Sequence, residues 1–263
     1  MANKALLVGI NKYPGSPLNG CVNDIKNMAE FLVAKKYFEA EEIRVLSDER
    51  ATTKNILERL EWLVTGLKSG DKCFFHFSGH GAQVPCRNGD GDVDNLNETI
   101  CPVDYDWEPE HMIIDKQFAS IFKRIPDGVI FNWFSDCCNS GDLTRSIGFT
   151  SIPRCYPNAP FDIQWRGIVA KKKQIKCQSK AMINEVLDVG YISGCKDHQT
   201  SADTVMNGSP CGAFTFFLIK TLIDHPDLPL SKIGKEVCLS LKKNGFSQEP
   251  ETEGARRDKP FLK

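Results

Sequence analysis

Lys72-Cys73-Phe74-Phe75-His76-Phe77-Ser78-Gly79-His80-Gly81 decides how this chain is read. Its first six residues, rich in aromatics, have the pattern of a buried strand. Ser78-Gly79-His80-Gly81 is the small-residue loop into which that strand runs. Further on, Gly128 to Phe134 reads as a second buried strand and runs into Ser135-Asp136-Cys137-Cys138-Asn139-Ser140-Gly141. Two strand ends thus each deliver a chemically capable side chain, His80 and one of two adjacent cysteines.

Working outward, strands and helices alternate. Ala5 to Ile10 reads as a strand, followed by a Pro/Gly/Asn-rich loop from Asn11 to Gly20. Asp24 to Phe38 reads as a helix, with Ile25, Met28, Ala29, Leu32 and Val33 at helical spacing. Ile43 to Leu46 reads as a short strand, and Thr53 to Leu67 as a helix with the stripe Ile56, Leu57, Leu60, Leu63 and Val64. A polar loop spans Pro85 to Asn97, and a helix Asp115 to Ile125. The strand Val189 to Ser193, helices Ala213 to Asp224 and Ser231 to Lys243, and an extended piece ending at Pro260-Phe261-Leu262 complete the chain. The alternation predicts an α/β fold, a mainly parallel sheet covered on both faces. Thr144 to Lys180 stands apart, with eight basic residues from Arg145 to Lys180, three prolines and no period. It reads as a long, partly mobile connection.

Composition narrows the classes. The 263 residues are 41% hydrophobic and 25% charged, with formal net charge -1, so nothing drives the chain toward nucleic acid or an anionic membrane. The apolar run Ala5 to Ile10 is too short for a membrane span and has no cleavage-type region after it. The 11 cysteines are odd in number and scattered, with no Cys-x-x-Cys pair. That argues against a disulfide framework or structural zinc and predicts a cytoplasmic home.

In open parallel sheets chemistry gathers at the carboxyl ends of the strands. A thiol needs a base to become a thiolate, and His80 across such a cleft would supply it. Glycines beside each residue free backbone N–H groups for an oxyanion. His76, inside its strand among Phe74, Phe75 and Phe77, reads as structural. Between Cys137 and Cys138, adjacency alone leaves the choice of nucleophile almost even.

Ser78-Gly79-His80-Gly81 and Asp136-Cys137-Cys138-Asn139-Ser140-Gly141 resemble the His and Cys motifs of the metacaspases and their bacterial relatives, the orthocaspases. The family's Cys motif is Asp-x-Cys-His-Ser-Gly, so Asn139 departs from it. The likeness extends through Val8 to Tyr13, Leu18 to Asp24, Glu98 to Asp104, Ile192 to Asp203, Gly212 to Thr215 and Gln248 to Pro250. It implies a caspase-like αβα sandwich in a single peptidase domain. Residues 1–143 would be the large-subunit part, 144–185 a basic intersubunit connection and 186–263 the small-subunit part.

The resemblance also implies a cysteine endopeptidase that cuts protein or peptide substrates after Arg or Lys. Cys138 is its nucleophile, His80 its base, and Gly81 and Cys138 donate to the oxyanion. Cys21, Asp24, Ser78 and Asp136 line an acidic pocket for the basic side chain, whose guanidinium would relieve the repulsion between two carboxylates. Asp24 can also be read as a helix N-cap. The family's calcium site maps to Asn97, Asp115, Lys116 and Asp142 or Arg145, a set in which a lysine would repel the cation. The site reads as degraded, no cofactor is expected, and Asp90, Asp92 and Asp94 read as a solvated loop. The basic connection offers many bonds for autoprocessing. A monomer is expected. The alternatives are a non-catalytic module that binds basic peptides and a different cysteine hydrolase using the same dyad.

Overall fold

The computed structural model describes residues 2–85, 96–138, 151–157, 159–172, 188–196 and 199–263. Its centre is a six-stranded sheet ordered β12-β9-β7-β3-β1-β2. These strands are β1 (Lys4–Gly9), β2 (Ile43–Ser47), β3 (Lys72–Ser78), β7 (Ile130–Asp136), β9 (Val189–Ser193) and β12 (Glu251–Glu253). All neighbours are parallel except β12, which runs antiparallel to β9. The α/β class and mainly parallel sheet read from the sequence are what the chain adopts.

The two-residue period of the strands sorts their side chains into two apolar layers. Leu6, Val8, Phe75, Phe77, Phe131 and Trp133 face α2 (Thr53–Val64) and α3 (Asp115–Phe122) through Leu60, Leu63, Phe118 and Phe122. Ala5, Leu7, Phe74, Phe134 and Ile192 face the other side. There they meet α1 (Cys21–Ala34), α5 (Ala213–Asp224) and α6 (Leu230–Lys243) through Met28, Phe214, Leu218 and Val237. Strands covered on both faces must be apolar on both, hence their near-continuous hydrophobic runs.

Register aligns the strand ends. Gly9 sits beside Ser47 and Ser78, Ser78 beside Asp136, and Ser135 beside Ser193. Two small sheets gather at this rim. One is β4 (Gly81–Pro85), β5 (Leu96–Ile100) and β6 (Ile113–Ile114); the other is β8 (Ile152–Pro153), β10 (Ala202–Met206) and β11 (Ser209–Gly212).

Helix α1 starts at Cys21 with Gly20 as its N-cap residue, three residues before the predicted start, so Asp24 lies inside the first turn and does not cap it. The Pro85 to Asn97 loop is bounded by the antiparallel pair β4–β5. The stretch Thr144 to Lys180 departs most from expectation. It holds strand β8 and helix α4 (Phe161–Lys172), and its Arg154 is wholly buried. Prolines at 153, 157 and 160 conceal this order because they mask any period.

His76 alternates with Phe74 on the α5 side of β3, fully buried, its ring nitrogens without hydrogen-bond partners. Burial holds its imidazole down at about 4. The unfolded chain therefore binds a proton below pH 6.5 that the folded chain refuses until about pH 4. Stability is full above pH 6.5 and falls as pH drops through that window. The full loss is worth about 3 kcal/mol. Urea unfolding at pH 7.5 and 5 should show His76→Phe losing markedly less stability than the parent; equal losses would refute this account.

Candidate active site

The rim of the sheet brings His80 and Cys138 to one cleft, and the chain's own residues 152–156 run through it. This segment is extended. Ile152 and Pro153 pair with Asp203 and Ala202 of β10, and Cys155 bridges Gly81 in parallel. The Arg154 N–H donates to the Ser201 carbonyl at 3.0 Å, and the Tyr156 N–H to the Gly81 carbonyl at 2.9 Å. Between these anchors the Arg154 carbonyl oxygen accepts from the N–H groups of Gly81 and Cys138, each at 3.1 Å. Two backbone donors on one carbonyl oxygen are what an oxyanion hole requires.

The Arg154 side chain enters a pocket whose sides come from α1, β3, β7 and β10. Nη1 donates to Ser78 Oγ at 2.7 Å and pairs with Asp136 Oδ2 at 3.0 Å. Nη2 donates to Asp24 Oδ2 at 2.7 Å and to Asp203 Oδ1 at 2.8 Å. Each carboxylate is held in turn. Asp24 accepts from the Gly212 N–H at 2.9 Å and from Ser78 Oγ at 2.8 Å. Asp136 accepts from Ser201 Oγ and Thr215 Oγ1, both at 2.6 Å, and Asp203 from the N–H groups of Asn19 and Gly20. Gly212 forms part of the wall: a Cβ there would overlap Asp136 Oδ2 and lie 2.5 Å from Arg154 Nη1. Three carboxylates face one guanidinium, so the cluster stays net anionic. Burial pushes the Asp24 carboxyl up to about 6, against the pull of the Arg154 charge.

The structure thus joins Asp24, Ser78 and Asp136 around one cation. Cys21 is buried beside them without a hydrogen bond to the guanidinium, and its thiol is pushed up by burial. Sequence reading missed Asp203 and the occupant itself. Asn207-Gly208 following Ala202 to Met206 was the available hairpin signal for Asp203. For Arg154 the signal was a single basic residue flanked by Ile152, Pro153, Cys155 and Tyr156 within a strongly charged stretch.

The imidazole of His80 lies between Tyr13 and Tyr156, ring centroids 4.6 and 5.6 Å away. Its Nε2 meets the Ser16 carbonyl at 2.8 Å. A carbonyl only accepts, so Nε2 carries the hydrogen and Nδ1, buried and without a hydrogen bond, keeps its lone pair. Burial holds the imidazole down at about 4, with the Arg154 charge adding to the effect and the Ser16 carbonyl opposing it. Cys138 is buried, and its Sγ accepts from the Ser201 N–H. Cys155 and Cys195 cluster with it. Burial, then Cys195, pushes the Cys138 thiol well up. Cys137 instead faces Ser135 Oγ at 3.2 Å and packs in the α2–α3 layer. With the segment seated, burial disfavours the charged form of both the imidazole and the thiol.

Asn97 is buried with Oδ1 unpaired. Glu98 and Asp115 line a cavity of about 40 Å3 with Ser135 and Cys137. Among the described residues no three His, Cys, Asp or Glu side chains are grouped to hold a metal ion. Asp90, Asp92, Asp94, Asp142 and Arg145 lie outside those residues, as do Asn139, Ser140 and Gly141 of the Cys motif. No described helix is long and apolar enough to cross a membrane.

Comparison with known proteins gives a consistent likeness. The profile of the metacaspase, peptidase C14 domain matches residues 3–146. A Metacaspase-1 of Meyerozyma guilliermondii is 31% identical over 94% of this chain and 68% of its own length. A Metacaspase-1B of Aspergillus oryzae is 33% identical over 94% of this chain and 66% of its own. This chain thus spans about two thirds of the length of these relatives. A crystal structure of a Geobacter sulfurreducens protein superposes with a TM-score of 0.70 at 24% identity, covering 98% of both chains, and so shares the fold.

Proposed function

This chain belongs to the metacaspase peptidase C14 family of cysteine peptidases, and from that premise we propose that it is an endopeptidase cutting proteins after Arg or Lys, with Cys138 as nucleophile and His80 as base. The observation that carries this reading is Arg154. Its guanidinium fills a pocket of three carboxylates while its carbonyl oxygen sits on two backbone donors beside the thiol. On this reading the segment 152–156 is bound as a substrate, and the Arg154–Cys155 bond is the one presented to Cys138.

The chemistry follows from these groups. Nδ1 of His80 takes the Cys138 proton, and the thiolate attacks the carbonyl carbon after the basic residue. The N–H groups of Gly81 and Cys138 hold the oxyanion. His80 passes its proton to the leaving amine as the C–N bond breaks, and water then releases the acyl-enzyme. Autoprocessing at Arg154–Cys155 belongs to the same reading. So does calcium independence, because Lys116 stands in the set to which the resemblance maps the family's calcium site, and a lysine there would repel the cation. A monomer and a cytoplasmic home complete the proposal.

The test is hydrolysis of matched fluorogenic peptides ending in Arg, Lys or Asp, with calcium and with chelator. Arg and Lys peptides should be cut at least about 100-fold better than Asp, because a fourth carboxylate beside the three in this pocket costs several kcal/mol. Chelator should change nothing. Cutting after Asp would end the specificity reading, and a calcium requirement would end the metal-free one. Tight binding of basic peptides without any cleavage would favour a non-catalytic module.

A further inference from the structure

A peptide bond seated for cleavage is followed by a residue that becomes the leaving group, and here that residue is Cys155. It packs with Cys138 and Cys195 in a buried cluster of three cysteines, its Sγ 3.6 Å from the Tyr156 carbonyl. The chain beyond it is tied down independently of the bond to Arg154. The Tyr156 N–H is held by Gly81. The Tyr156 ring lies 4.9 Å from Tyr105 and 6.0 Å from both Trp107 and Tyr13, and its hydroxyl reaches the Pro14 carbonyl at 3.4 Å. Helix α4 follows, with Ile163 buried in the main core. Cleavage therefore does not expel the leaving group, which stays beside the thioester as an amine with a thiol three bonds away.

Resting on the reading of Arg154 as the chain's own substrate, we propose that Cys155 makes this self-cleavage reversible: its thiol recaptures the Arg154 acyl group from Cys138 and returns it to the Cys155 amine, keeping the enzyme in one piece.

Each step balances. Cys138 attack and proton delivery by His80 give the Arg154–Cys138 thioester and a neutral Cys155 amine. The emptied imidazole takes the Cys155 thiol proton, and that thiolate attacks the thioester. Cys138 leaves as a thiolate and regains the proton from the imidazole. The amine then attacks the Cys155 thioester through a five-membered ring. The C–S bond breaks, the amide re-forms, and the displaced thiolate takes the amine proton. No water, oxidant or other reagent is consumed. Water competes poorly because Cys155 and Tyr156 fill the cleft, and a held nucleophile acts at a far higher effective concentration.

The experiment follows the intact mass of the purified full chain, with and without neutral hydroxylamine, for the parent, Cys155→Ser and Cys155→Ala. The parent should stay largely single-chain alone. With hydroxylamine it should yield two fragments, the first ending in an Arg154 hydroxamate. Both variants should accumulate the hydrolysed two-chain form at least about tenfold faster, since each lacks the thiol that recaptures the acyl group. Thermal melts confirm that each variant is folded, and agreement between the two replacements separates loss of the thiol from local misfit. Hydroxamate from the parent together with parent-like accumulation in both variants would overturn the recapture while leaving Arg154 as substrate. Absence of any cut or hydroxamate at Arg154 in all three would remove both ideas.

Discussion

Cys138→Ala is expected to abolish hydrolysis of an Arg peptide, lowering kcat/KM by at least about 10^4-fold, because nucleophile and base act as one unit. It should also leave the chain uncut after Arg154. Cys137→Ala should keep most of the activity. Its thiol faces Ser135 and the α2–α3 layer, away from the carbonyl held by Gly81 and Cys138. The replacement should cost some stability through the small void it leaves. Neither substitution should disturb the pocket, so a basic peptide that cannot be cut should still bind Cys138→Ala. The decisive measurement is progress curves for both variants beside their thermal melts. Activity retained in Cys138→Ala and lost in Cys137→Ala would reverse the assignment of the nucleophile.

Arg154→Ala should produce two large and opposite effects. The guanidinium is fully buried among Asp24, Asp136 and Asp203, and its removal leaves three buried carboxylates without their cation. Loss of one partner from a buried ion cluster costs about 3–5 kcal/mol, which for a chain of this size lowers Tm by roughly 10 °C. The same change empties the pocket. An external substrate no longer competes with a tethered one, so KM for an Arg peptide should fall by the factor by which the parent is blocked. The imidazole of His80 loses the Arg154 charge that lowers it, and its proton affinity should rise. The variant should start hydrolysis without a lag, and a small guanidinium ligand should restore much of the lost Tm. An unchanged Tm with an unchanged KM would show that the segment does not occupy the site in solution.

The motifs and central strands were legible because their signals are local. Phe74, Phe75 and Phe77 mark β3, and the Gly-flanked His80 marks its end. The pocket was only half legible. Asp24, Ser78 and Asp136 stand in motifs within the first 146 residues, where the family profile matches. Asp203 belongs to a hairpin of a few residues whose burial does not alternate, so it carries no two-residue signal. Arg154 was read as one of many surface charges. Its burial depends on carboxylates 130, 18 and 49 positions away in the sequence, and no local pattern reports on that. Its proline-rich surroundings suggested mobility, whereas β8 pairing and the aromatic seat of Tyr156 hold it in place.

The three-carboxylate pocket also bears on how such an enzyme could diverge. A relative that cut after aspartate would need positive charge where Asp24, Asp136 and Asp203 now stand. Each of the three is also a structural acceptor for groups elsewhere: Gly212, Thr215 and Ser201, Asn19 and Gly20. Changing one leaves two carboxylates still rejecting an acidic side chain and orphans a buried donor as well. A single replacement among the three would therefore weaken binding of a basic side chain and lower stability, with no gain on an acidic one to offset the loss. On the proposed reading, the preference for basic residues is separated from its opposite by a fitness valley at least three substitutions wide.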